Sequence, residues 1–94
     1  MTYNLEFEEH ALKEFKKLAP VIREQFKKKL ASVLDNPQLP ANRLFGLPDC
    51  YKIKLKSSGY RLVYRVINQE IVVLVLSIGK RERSEAYTTA KKRL

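Results

Sequence analysis

The sequence predicts an α+β domain of order β-α-α-β-β-β-α: a mainly antiparallel four-stranded sheet, a helical hairpin on one face and a mobile C-terminal helix. Three observations predict it. The hydrophobic period changes from two to helical after Phe7, and returns to two near Cys50. Turn-forming residues punctuate the second half at Ser57, Ser58 and Gly59 and again at Asn68. The stretch from Ile71 to Ile78 is apolar on both parities, as a central strand covered on both faces would be.

Tyr3, Leu5 and Phe7 alternate with polar residues and predict the first strand. Ala11, Leu12, Phe15, Leu18 and Ala19 then fall at helical spacing. Pro20 ends that helix and suits the first position of the next. Ile22, Phe26, Leu30, Val33 and Leu34 form the buried stripe of the second helix, with Lys27, Lys28 and Lys29 mostly off it. Asp35, Asn36 and Pro37 stop it, and residues 37–48 form an irregular connection. Strands are expected over residues 50–56, 60–67 and 70–79, the last two joined by a tight turn at Asn68 and Gln69. Residues 83–94 read as a helix with a thin stripe of Ala86, Ala90 and Leu94, so it should be held weakly and be able to move. No repeat or linker divides residues 1–94, which are expected to form one domain.

Nineteen Lys and Arg against ten Asp and Glu leave a formal charge of +9 on 94 residues. Such a charge attracts nucleic acid, acidic proteins or anionic membrane surfaces. A hydrophobic fraction of 45% is too high for a disordered basic tail. Cys50 is the only cysteine, so an intramolecular disulfide is excluded and a metal signature is lacking. The apolar run from Ile71 to Leu76 is too short to span a bilayer, and the start of the chain does not read as a signal peptide. A reducing cytoplasm is the expected location, with no membrane partner, no metal and no cofactor.

The positive charge concentrates in the second half. Lys52, Lys54, Lys56, Arg61 and Arg65 alternate with apolar residues across a hairpin. In the first strand Tyr51, Ile53 and Leu55 share odd parity; in the second Tyr60, Leu62 and Tyr64 share even parity. Facing residues of an antiparallel pair keep a constant index sum. A two-residue loop at Ser57 and Ser58, or at Ser58 and Gly59, makes that sum odd. The apolar residues then meet on one face and the lysines meet Arg61 on the other. With the loop at Ser57 and Ser58, Lys54 sits directly across from Arg61. Like charges placed so cost stability, and a fold that keeps them usually has an anion to hold. A merely solvated sheet face is the bland alternative.

The strand, helical hairpin and three-strand meander carry Lys52 and Lys54, then Gly59, Tyr60, Arg61, Leu62, Val63 and Tyr64, then Gly79, Lys80, Arg81 and Tyr87. This ordered set resembles the RelE family of ribosome-dependent mRNA interferase toxins, over the whole chain. The resemblance implies cleavage of mRNA in the ribosomal A site, contact with small-subunit rRNA, and inhibition by a RelB-type antitoxin. Through that antitoxin the chain would join a complex on operator DNA. It also implies that Lys52, Lys54, Arg61, Arg81 and Tyr87 form the catalytic set. Two positions depart from wider family patterns: Lys80 stands where a histidine occurs, and Phe45 where a basic residue can occur. The second departure speaks against RNA contacts from that loop.

Metal-free RNA cleavage can use the neighbouring 2′-OH as nucleophile. It needs a base, stabilisation of charge on the phosphate oxygens, and a proton for the leaving 5′-oxygen. The only histidine, His10, lies far from the cluster and reads as a surface or capping residue. Lys54 is therefore the expected base, with Lys52 as helper, because crowded positive charges lower a lysine pKa. Arg61 is assigned to the transition-state phosphate. Arg81 either donates to the leaving oxygen or shares that electrostatic role. Tyr87 stacks on a base or packs the last helix. Lys56, Arg65, Arg83 and Lys28 are the expected further RNA contacts. A non-catalytic RNA-binding module and a same-fold toxin with another target, as in ParE toxins, are the competing readings.

Overall fold

The computed structural model describes residues 2–80 and 85–94. The chain runs β1 (Asn4–Phe7), α1 (Glu9–Lys17), α2 (Pro20–Val33), a 3-10 turn (Pro40–Asn42), β2 (Cys50–Leu55), β3 (Tyr60–Ile67), β4 (Val72–Lys80) and α3 (Glu85–Arg93). The strands form one sheet of order β1-β4-β3-β2, in which β1 runs parallel to β4 and the other pairs are antiparallel. This is the α+β order expected. The doubly apolar β4 is an inner strand, and β2 lies at an edge.

Local signals place the helices. The Glu8 carboxylate accepts from the amides of His10 and Ala11, which caps α1 where the strand period ends. Pro20 occupies the first turn of α2, where its missing N–H leaves no helical bond unmade. Phe15, Phe26, Leu30 and Val33 are buried against Ile53, Leu62, Tyr64, Val73, Val75 and Ile78 on one face of the sheet. Leu12 and Leu5, expected on buried faces, are each 37% exposed. On the opposite face Leu47, Cys50, Val63 and Leu76 meet Ala86 and Ala90 of α3. Leu94, expected on that stripe, lies exposed beyond the last helical residue.

Two turns differ from expectation. The β3–β4 connection is a four-residue turn rather than a tight one, since Ile67 pairs with Val72. Ile71 lies inside it at φ 56°, a costly region for a β-branched residue. Hydrogen bonds hold it there: its N–H donates to the Asn68 carbonyl at 3.2 Å, and its carbonyl accepts from Asn4 at 2.8 Å. In the β2–β3 hairpin the ladder closes at Leu55 and Tyr60, and Gly59 at φ 77° donates to the Leu55 carbonyl at 2.9 Å. The ladder keeps the index sum expected for a loop at Ser57 and Ser58.

A bulge shifts the β3–β4 register between Val63 and Tyr64. It inserts one residue into β4, so Val75 and Ile78 both face the helical hairpin although their parities differ. The extra residue leaves Leu76 and Ser77 together against α3, where the Ser77 hydroxyl donates to the Ala86 carbonyl. Beyond the bulge, Gly79 falls opposite Arg61 and Lys80 opposite Tyr60.

Candidate active site

The register builds the site. Lys54 faces Arg61, Lys52 faces Val63, and Arg61 faces Gly79 across the next ladder. The outer face therefore carries a row of Lys54, Arg61 and Gly79 over three strands, and the glycine leaves one end of that row without a side chain. The opposite parity, with Tyr51, Ile53, Leu55, Leu62 and Tyr64, is buried in the core. Burying those residues forces the cations together, because reversing one face reverses the other.

Lys54 is exposed, and its ammonium pKa is lowered by Lys52 first and by Arg61 next, with Lys56 adding to the effect. Arg61 is half-buried and donates from Nη1 to the Tyr87 hydroxyl at 3.1 Å. Its guanidinium carbon lies 5.9 Å from the centre of the Tyr87 ring. Tyr87 is half-buried and packs beside Ala86 and Ala90 on the sheet. Lys52, Lys54, Arg61 and Tyr87 are thus brought to one face from β2, β3 and α3. Arg81 and Arg83 lie outside the described residues.

The other expected RNA contacts are more dispersed. Lys56 opens the hairpin turn and, with Lys28 and Lys29, lines a shallow depression against α2. Lys29 also shares a groove with Asn42, Lys52, Lys54 and Lys56 at the edge of β2. Lys28 and Lys29 belong to one lysine run on α2. Arg65 stands opposite Cys50, at the far end of β3 from the hairpin turn. It lines a separate depression with Asp49 and residues 66–70, and its buried Nε makes no hydrogen bond.

One residue went unread. Arg93 makes a fork with Glu14, 3.0 Å from Nη1 to Oε1 and 3.0 Å from Nη2 to Oε2, and donates to the Leu76 carbonyl at 2.8 Å. Its Nε is 3.7 Å from the Glu8 carboxylate. The last turn of α3 is therefore tied to α1 around the end of β4. No local pattern announces a pair 79 positions apart. Phe45, read from the sequence as a departure that keeps its loop from RNA, is 95% exposed on the loop before β2.

Other titratable groups stand aside. His10 is exposed at the start of α1 with its ring Nδ1 2.9 Å from Glu8; it is a surface residue, one of the two roles expected, and Glu8 is the cap. Burial pushes the Cys50 thiol up to about 11, against the opposing charge of Arg65. Lys80 extends over the ring of Tyr60, 5.5 Å from its centre. Among the described residues no group of three or more His, Cys, Asp or Glu is placed to hold a metal ion.

Known proteins resemble this chain in sequence and in fold. The family described as the ParE toxin of the type II toxin–antitoxin system parDE matches residues 5–85. The mRNA interferase toxin RelE of Escherichia coli K12 is 62% identical over 94 residues, which are 100% of this chain and 99% of that protein. The free-state structure of the E. coli RelE R81A/R83A mutant superposes with a TM-score of 0.93 at 60% identity, covering 100% of this chain and 99% of the other. A chain of the intact E. coli RelBE toxin–antitoxin complex matches with a TM-score of 0.82 at 62% identity, covering 83% of this chain and 95% of the other. On this identity over its whole length, the chain belongs to the RelE mRNA interferases of the ParE-type toxin family of type II toxin–antitoxin systems.

Proposed function

We propose that this chain is the toxin of a type II toxin–antitoxin system, an endoribonuclease that cuts mRNA in the ribosomal A site through attack of the 2′-OH. One observation carries the reading: Lys54 faces Arg61, and Arg61 in turn holds the Tyr87 hydroxyl.

In this mechanism the neutral amine of Lys54 takes the proton of the 2′-OH. The lowered pKa makes that amine more available than an isolated lysine would. The freed oxygen attacks the adjacent phosphorus, and a 2′,3′-cyclic phosphate forms as the 5′-oxygen leaves. Arg61 carries the negative charge that develops on the phosphate oxygens, and Lys52 adds to that field. Tyr87 positions a base by stacking while its hydroxyl fixes the guanidinium. Arg81 is assigned to the proton of the leaving oxygen or to the same charge. The set lacks a group that titrates freely near neutrality, so the ribosome supplies what it lacks by holding the message in line. Lys28, Lys29 and Lys56 border the site on the α2 side and suit rRNA phosphates.

An enzyme of this kind needs restraint. A RelB-type antitoxin with an acidic or amphipathic segment would neutralise the basic face and carry the pair to operator DNA. The whole of residues 1–94 acts as one domain in this reading, working in the cytoplasm. No described helix is long and apolar enough to cross a membrane.

The test uses a defined mRNA with and without ribosomes paused at a known codon, followed by mapping of the 5′ ends. Cuts confined to the A-site codon are expected, and Arg81→Ala should abolish them while ribosome binding persists. Intact message in both reactions, with the protein still bound to ribosomes, would leave a non-catalytic RNA-binding module instead.

A further inference from the structure

The loop before β2 is tied down around a single outward side chain. Arg43 bridges to Tyr51, and the Leu44 N–H donates to the Cys50 carbonyl at 2.9 Å. The Cys50 N–H donates back to the Leu47 carbonyl at 3.2 Å, and Leu47 is buried with Ala86 and Ala90 under α3. Gly46 turns the chain at φ 82°. Between these anchors Phe45 points out, 95% exposed, and contributes nothing to the core.

A single exposed apolar residue is ordinary. The position of this one is what matters. Phe45 and Tyr87 line one cleft of about 270 Å³, with Lys91 at its border. Tyr87 is also the residue whose hydroxyl accepts from Arg61, so the cleft shares one wall residue with the candidate active site. Aromatic walls with a cation alongside are what a nucleobase and its phosphate require, since every base offers a π-face and stacking needs no charge on the platform.

We infer that Phe45 and Tyr87 form a two-aromatic cleft that takes a nucleobase of the message beside the scissile bond, with Lys91 toward the phosphate. The inference rests on the RNA-cutting reading above. It reverses the expectation that an apolar residue at position 45 removes this loop from RNA contact. A protein partner's apolar anchor fits less well: the cleft is small, it borders Lys91, and its Tyr87 wall is bonded to the arginine assigned to phosphate.

The experiment places 2-aminopurine at each of the three A-site codon positions of a message on a paused ribosome. A 2′-deoxy sugar at the scissile position blocks cutting. Wild-type protein should quench the fluorescence at one position, and Phe45→Leu should restore it. On cleavable message, Phe45→Ala and Phe45→Leu should each lower cleavage at limiting enzyme by about tenfold, the effect of one lost stacking platform. Phe45→Tyr should stay within about twofold of wild type on the same stacking argument. Unchanged thermal midpoints exclude misfolding, because the ring is exposed. Unchanged quenching and rate in both variants overturn the inference. So does Phe45→Leu behaving as wild type while Phe45→Ala fails, which would mean bulk rather than stacking. Loss only of affinity for E. coli RelB overturns it in favour of a protein contact. If wild-type protein cuts no ribosome-bound message, the RNA-cutting reading itself fails and the inference falls with it.

Discussion

Arg61 on β3 donates to the hydroxyl of Tyr87 on α3 at 3.1 Å, and this bond joins the sheet half of the candidate site to its helical half. The bond and the ring can be separated by substitution. Tyr87→Phe keeps the ring and frees the guanidinium, so single-turnover cleavage should fall about fivefold, the worth of one charge-assisted hydrogen bond. Tyr87→Ala removes the stacking surface too and should cost on the order of a hundredfold. Equal losses in the two variants would assign the residue's whole effect to its hydroxyl.

Lys54 gives the pH dependence. Its pKa is lowered, so the neutral amine appears at lower pH than for a free lysine, and the rate should climb with pH until that group is deprotonated. Lys52 is the first cause of the lowering. Lys52→Met should therefore raise the Lys54 pKa and displace the climb to higher pH, with the plateau less affected than the rate at neutrality. Lys54→Ala should remove the pH-dependent limb and reduce the rate by about 10² or more. A limb that survives Lys54→Ala would belong to another group.

Arg61 should not tolerate lysine. A lysine keeps the charge but presents a point cation where a planar fork meets both a phosphate and a tyrosine hydroxyl. Arg61→Lys should lower cleavage by about a hundredfold in the same assay, a loss of the size seen when one preorganised donor is removed. It should leave the thermal midpoint nearly unchanged.

Arg93 is a stability residue. Its side chain is 17% exposed and its partners are Glu14, Glu8 and the Leu76 carbonyl. Arg93→Ala strands those acceptors and should cost about 2 kcal/mol in urea unfolding. Burial raises the Glu8 pKa, but His10, the helix-start amides and Arg93 outweigh it, so the net shift is downward from 4.5. A depressed carboxylate pKa contributes stability that is present above the unfolded value and lost as pH falls through the folded one. Acid titration of the wild type should therefore lose stability below about pH 4.5. Arg93→Ala should lose less over that window.

Cys50 should be inert. Its thiol is fully buried and pushed up to about 11, so almost no thiolate exists at neutral pH. Iodoacetamide should label it only at the rate of unfolding, and denaturant should accelerate labelling sharply. Fast labelling of the folded protein would contradict the burial.

Much of the fold was legible because its signals are local. The change of hydrophobic period marked β1 against α1, Pro20 marked the start of α2, and the doubly apolar β4 had to be central. The Lys54–Arg61 pair was legible for the same reason, since parity and a short loop determine which residues face each other. Other features were not. The four-residue turn at residues 68–71 puts an isoleucine in a left-handed conformation, against its intrinsic preference, and hydrogen bonds to β1 and within the turn hold it there. The bulge in β4 follows from fitting two cores to one strand.

The sequence by itself determined the element order, the two faces of the hairpin and the crowding of Lys52 and Lys54 against Arg61, because strand alternation and turn length act over a few residues. Only the tertiary structure decided that Tyr87 reaches Arg61, that Arg93 closes on Glu14 and that Phe45 shares a cleft with Tyr87. Those contacts join segments 26 and 79 residues apart for the first two. At such separations side-chain partners are selected by how α3 packs on the sheet, and no local propensity encodes that packing.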